Sequence, residues 1–109
     1  MIKKQHLANL LLLMLAGLPM LSATGIAAAA DINKGGQLYS MHCANCHGGS
    51  GIPVMPGSPN FQRSEKLFQA DVMLLASIRR GKNAMPGYAG MLRDQEIMDV
   101  IAYLRTMQR

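Results

Sequence analysis

The chain has 109 residues, with eleven Lys and Arg against six Asp and Glu, a formal net charge of +5, two cysteines and no tryptophan. Lys3 and Lys4 are the only charged residues before Asp31, so the rest holds nine bases to six acids, net +3, a balance that gives no case for nucleic acid as a partner. Residues 31–109 make one small domain, and a domain of that size buries only about 60% of the surface its unfolded chain exposes, so it needs help beyond its own core.

In chain order, Lys3 and Lys4 precede an apolar stretch from Leu7 to Leu21, followed by small residues that end in Ala28-Ala29-Ala30. Charge, apolar core and small residues in that order are the pattern of a secretory leader. The leader is expected to span 1–30, with Ala28 and Ala30 at the small positions before a cut and Asp31 as the first residue of the mature domain 31–109. The apolar run is broken by Gly17 and Pro19 and falls short of the about 20 residues that a membrane span requires. Export would place the protein in the periplasm.

The first predicted helix runs from about Ile32 into Cys43-Ala44-Asn45-Cys46-His47, with Asp31 or Asn33 as its N-cap. Gly35, Tyr39, Cys43 and His47 recur every four residues and share a face. Gly35 and Gly36 each cost about 1 kcal/mol relative to Ala in a helix, so they imply a second helix crossing close to this backbone.

C-x-x-C-H reads as a covalent attachment site for c-type haem: two thiols and an imidazole on one turn suit one flat ligand held by thioethers and met at its iron by His47. A zinc site would want further Cys or His ligands, and the remaining histidines are His6 in the leader and His42. A dithiol redox pair would want a preceding strand, and no strand pattern stands there. A plain disulfide remains the bland alternative for an exported chain. Haem would also supply apolar volume that the small core lacks, so the chain without it should fold poorly.

Residues 48–63, rich in Gly and Pro, form a loop. Asp71 is expected to cap a helix carrying Val72, Leu75 and Ile78 with Leu74 beside them; Arg79 and Arg80 suit its negative end, and Gly81 stops it. The last helix begins near Asp94, and its Ile97, Val100, Ile101 and Leu104 fit the i, i+3, i+4, i+7 template of a core-facing stripe. Tyr103 and Met107 lie beside that stripe. The fold class is all-α, three or four helices around one haem.

A distal ligand remains to be found, and methionine thioether opposite histidine is the pairing that raises the potential of electron-transfer haems. Of the seven methionines after Asp31, Met41, Met73, Met98 and Met107 adjoin the motif or lie on predicted helices, and Met91 is near a helix start. Met55 and Met85 remain, each in a loop and each followed by proline, which holds the backbone away from a helix.

Lys34-Gly35-Gly36-Gln37-Leu38-Tyr39 before the C-x-x-C-H run, then Gly81-Lys82-Asn83-Ala84-Met85-Pro86, then Ile101-Ala102-Tyr103-Leu104, resemble in order the three landmark segments of the class I c-type cytochromes. The resemblance covers residues 31–109. It implies one covalent haem c on Cys43 and Cys46, His47 as proximal and Met85 as distal iron ligand, with Met55 as the alternative, and Tyr88 as a candidate contact to a haem propionate. It further implies that Gly35 and Tyr39 cross Tyr103, and that the Pro56 carbonyl accepts a hydrogen bond from His47. The family's last helix usually opens on Ser or Thr; Arg93 stands there, so Asp94 is expected to take over the cap.

The function so implied is transfer of single electrons between redox proteins, a membrane-bound oxidase or reductase among them, by a monomer without catalytic residues of its own. Basic Arg79, Arg80 and Lys82 lead into the Met85 loop and could steer an acidic partner. A haem enzyme or gas sensor with an open distal position would want a distal acid or base, and no His or Arg stands near the loop to serve. A dedicated cytochrome subunit of a periplasmic dehydrogenase or nitrite reductase is not separable from a general carrier at this level.

Overall fold

The computed structural model describes residues 28–109, and the expected leader before them lies outside the described residues but for its last three. Four helices follow in order: α1 Ile32–His42, α2 Ala44–His47, α3 Asp71–Arg80 and α4 Asp94–Arg105. The described residues hold no strand, only two isolated bridges, Lys82 with Met85 and Ala89 with Leu92. The fold is all-α, as expected.

Asp31 caps α1, its carboxylate accepting from the Lys34 amide at 3.0 Å. The helix expected to continue through the motif instead breaks at Cys43, whose φ of −121° and ψ of −38° leave helical geometry before α2 resumes. The break is shallow: the His47 amide still donates to the Cys43 carbonyl at 2.9 Å, so Cys43 and His47 remain one turn apart.

The stripe on α4 is core, as its spacing predicts: Ile97, Val100, Ile101 and Leu104 are all buried. Each such side chain contributes about 1.5–3 kcal/mol when it leaves water. Against them α1 crosses with backbone on backbone, for a Cβ on Gly35 would lie 1.9 Å from the Asp99 carbonyl oxygen. Only glycine permits that approach, and it justifies the local cost in helix propensity. Gly36 admits the Tyr103 ring, which lies against Tyr39 at 5.4 Å between centroids.

Two helix starts differ from expectation. Ala70, without a side-chain bond, is the N-cap of α3, and Asp71 is the first helical residue. Its carboxylate is taken by Arg105, with Nε at 2.9 Å and Nη2 at 2.5 Å, while the same guanidinium reaches the carbonyls of Leu67 and Gln69. A planar five-donor head thus ties the end of α4 to the approach of α3. At α4, Asp94 does not cap. Its carboxylate pairs with Arg79, and Glu96 reaches back to accept from the Arg93 amide at 2.9 Å. Arg93 has no acceptor to offer, so its contribution is an ion pair to the same Glu96 at 3.1 Å.

The stripe expected on α3 is only partly buried. Leu74 is its buried residue, Leu75 and Ile78 pack on the core from its margin, and Val72 is 66% exposed.

Candidate haem site

Cys43 and Cys46 are unpaired thiols, both half-buried, so the plain disulfide is not formed. Burial pushes the Cys43 thiol up to about 11, which keeps it protonated at neutral pH. The His47 ring stacks on Phe61 with centroids 4.8 Å apart and planes at 25°. Burial lowers the His47 pKa, so the ring is neutral at pH 7, the form that can ligate a metal.

The His47 Nδ1 is buried without a partner. The Pro56 carbonyl, which the family resemblance gave as its acceptor, does not meet it here; the Phe61 face holds the ring instead. Phe61 went unnoticed in the sequence because a lone aromatic in a loop has no periodicity to mark it.

The motif helix is fastened at its end. The Tyr39 hydroxyl, inside the core, donates to the Gly48 carbonyl at 2.6 Å, and burial with the nearby Cys43 and Tyr103 pushes the phenol up to about 12. The Cys46 carbonyl accepts from both Val54 and Met55 amides, at 2.9 and 3.0 Å, which pins the Met55 loop to the attachment turn. Met55 itself is 37% exposed.

Met85 is half-buried against the core. Lys82 and Met85 exchange both backbone hydrogen bonds at 3.0 Å around Asn83-Ala84, with Asn83 at a φ of 54°, the positive value that such a two-residue turn wants and that asparagine tolerates. Gly81, at a φ of 70°, lets the returning chain pass so closely that a Cβ there would lie 2.5 Å from the Gly87 nitrogen. Beyond it the Tyr88 amide donates to the Ile78 carbonyl at 3.0 Å, and the Tyr88 hydroxyl donates to the His42 carbonyl at 2.8 Å. That hydroxyl has one proton, and it is spent on His42; a propionate oxygen needs a donor, so Tyr88 is a brace between the Met85 loop and the motif and not the propionate contact suggested by its position.

Two protonated thiols, a neutral imidazole on the same turn and a thioether from a braced loop are the donor chemistry of covalently attached haem with two axial ligands, and the residues present fit that group. The comparisons agree. The family model for subunit III of the cbb3-type cytochrome c oxidase matches residues 30–104. Cytochrome c6 of Thermosynechococcus vestitus is 37% identical over 87 residues, 78% of either chain. This chain belongs to the class I c-type cytochromes. Cytochrome c6 of the red alga Porphyra purpurea is 32% identical over 91 residues, 74% of this chain and 76% of that one. Among solved structures, cytochrome c6 of the diatom Phaeodactylum tricornutum matches with a TM-score of 0.56 at 29% identity, over 71% of this chain and 93% of that one. The c-type cytochrome KustC0563 matches with a TM-score of 0.63 at 25% identity, over 69% and 98%. As a member of this family the protein carries electrons on haem c and is not an enzyme.

Proposed function

We propose that the protein is an exported, diffusible electron carrier in which Cys43 and Cys46 hold haem c through thioethers while His47 and Met85 are the axial ligands of its iron. The observation that carries this reading is the turn Cys43–His47, where two half-buried thiols and a neutral imidazole leave the same short helix. The bound haem supplies a one-electron couple. Everything else is done by the chain. Phe61 fixes the plane of His47, Tyr39 holds the turn shut at Gly48, and the Lys82–Met85 turn with the Tyr88 brace keeps Met85 at the core margin. A rigid ligand set keeps reorganisation on electron transfer small, which is what a carrier requires.

Met85 is preferred to Met55 because its loop is closed on itself and packed on the core, whereas Met55 is tied to the carbonyl of a proposed attachment residue and faces outward. The leader pattern before Asp31 supports export to the periplasm. Redox proteins are the partners. Arg79 is committed to Asp94, so Arg80 and Lys82, which have no ion pair among the described residues, are the charges available to orient an acidic partner. The test is an absorption spectrum of the reduced protein with and without carbon monoxide: a closed His/Met site shows no change on adding the gas, and prompt binding would overturn the six-coordinate reading.

A further inference from the structure

Asp99 is 2% exposed, the one charged residue buried in the described structure. A carboxylate there is costly unless something charged and well placed answers it. Its oxygen Oδ1 accepts from two neutral donors, the Asp31 backbone nitrogen at 2.8 Å and Gln95 Nε2 at 3.1 Å, and no Lys, Arg or His forms an ion pair with it among the described residues. The nearby cations are engaged elsewhere, Lys34 and Arg93 both on Glu96. The Asp31 carboxylate is spent on the Lys34 amide.

The nitrogen that reaches Asp99 is also the atom that becomes the chain terminus if the leader is cut where its small residues direct. We propose that hydrolysis of the Ala30–Asp31 bond turns the Asp31 nitrogen into an α-ammonium that pairs with the buried Asp99 carboxylate, so that processing itself locks α1 onto α4. The inference rests on the leader reading given above. The cut consumes one water, leaves a carboxylate on Ala30 and frees an amine on Asp31, which takes up a proton at neutral pH because an α-amine ordinarily titrates at about 7.7–8.0. The unprocessed chain keeps a neutral amide at the same place. The lock therefore acts only on the processed protein, at the crossing where Gly35 already brings the two backbones together.

The sign of its pH dependence follows. Pairing raises the amine's pKa in the folded state, so the stabilisation is complete below about pH 8 and is lost as pH rises through the raised value. Asp31, Lys34, Glu96, Arg93 and Asp99, the charged groups around the amine, keep their charges across that range.

The test uses the exported holoprotein. Intact mass first establishes the terminus. Melting temperature is then compared for the wild type, for a variant with Ser-Gly inserted between Ala30 and Asp31, for Asp99→Asn and for the two changes combined. A lock predicts that each single change lowers Tm by about 4–8 °C, that the combined variant falls little further than the worse single one, and that between pH 7 and 9.5 Tm declines in the wild type but not in the inserted variant. The insertion and pH arms stand even if Asp99→Asn yields no protein. A terminus other than Asp31 overturns the proposal through its cleavage half. Additive losses, or equal pH profiles, in protein that does begin at Asp31 overturn the lock and leave the leader reading intact.

Discussion

Two loops of this molecule carry the same dipeptide, Met followed by Pro, and the fold treats them in opposite ways. The Met55 loop leaves the attachment turn and is fastened straight back to it, through the two amides on the Cys46 carbonyl, so its methionine stays near the residue it started from and faces outward. The Met85 loop starts a helix away. It is closed by its own two-residue turn, admitted past α3 by Gly81, and braced through Tyr88 to the carbonyl just ahead of Cys43. A soft side chain in a loop is thus common, and what makes one a ligand is the set of bonds that fixes its backbone.

The strongest way to break that contrast is to obstruct one loop at a time. Gly81→Val would place a branched side chain at a φ of 70°, within 2.5 Å of the Gly87 nitrogen. Strain and overpacking together should cost about 2–6 kcal/mol, and carbon monoxide should gain access to the ferrous iron. Gly48→Ala, at a φ of 80° with its Cβ 1.8 Å from the Ile52 carbonyl oxygen, should cost a similar amount on the attachment side. Thermal melts with gas titration separate the two: Gly48→Ala lowers stability and leaves the folded protein closed to the gas.

Removing the brace is a smaller perturbation. Tyr88→Phe deletes the donor to the His42 carbonyl and should cost about 1 kcal/mol by chemical denaturation, with the haem retained. A loss of nothing measurable would mean that the Met85 loop is held by its turn alone.

Partner steering comes next. If Arg80 and Lys82 orient an acidic redox partner, replacing both with Gln should lower the association rate and flatten its dependence on ionic strength, while the absorption spectrum stays the same. An unaltered salt dependence would assign these charges to the helix end only.

The smallest effect concerns acid. Hydrogen bonds from the Arg93 side chain and amide hold the Glu96 carboxyl down at about 2, so its share of stability is present above the ordinary carboxylate range and is lost as pH falls through about 2. Glu96→Gln should make the acid limb of the stability profile shallower and leave both methionine loops as they are.

Much of this was legible in the sequence, and the misses share a cause. The α4 stripe was readable because four apolar residues at helical spacing have one economical use, and the Gly35 crossing because a costly glycine in a helix wants a reason. The helix starts were misread at Asp71 and Asp94, where an acid at the first helical position looks the same as a cap until Arg105 and Arg79 claim it. Likewise the break at Cys43 leaves the four-residue spacing of the motif intact, so periodicity gives no sign of it. Around the candidate site the donors were plain from their spacing, but their supports were not. Phe61 on His47, Gly48 on Tyr39 and His42 on Tyr88 are partners brought together by tertiary packing, and no local pattern announces them.

The central claim is that Met85, and not Met55, is the distal ligand, and one paired measurement addresses it: the iron-to-sulfur charge-transfer band of the oxidised holoprotein in Met85→Ala and in Met55→Ala. The band should vanish in Met85→Ala, with a lower reduction potential because loss of a soft neutral ligand favours the oxidised metal. It should persist in Met55→Ala, at a small cost in stability since that side chain is largely outside the core. A band that survives the first substitution and disappears in the second would contradict the account.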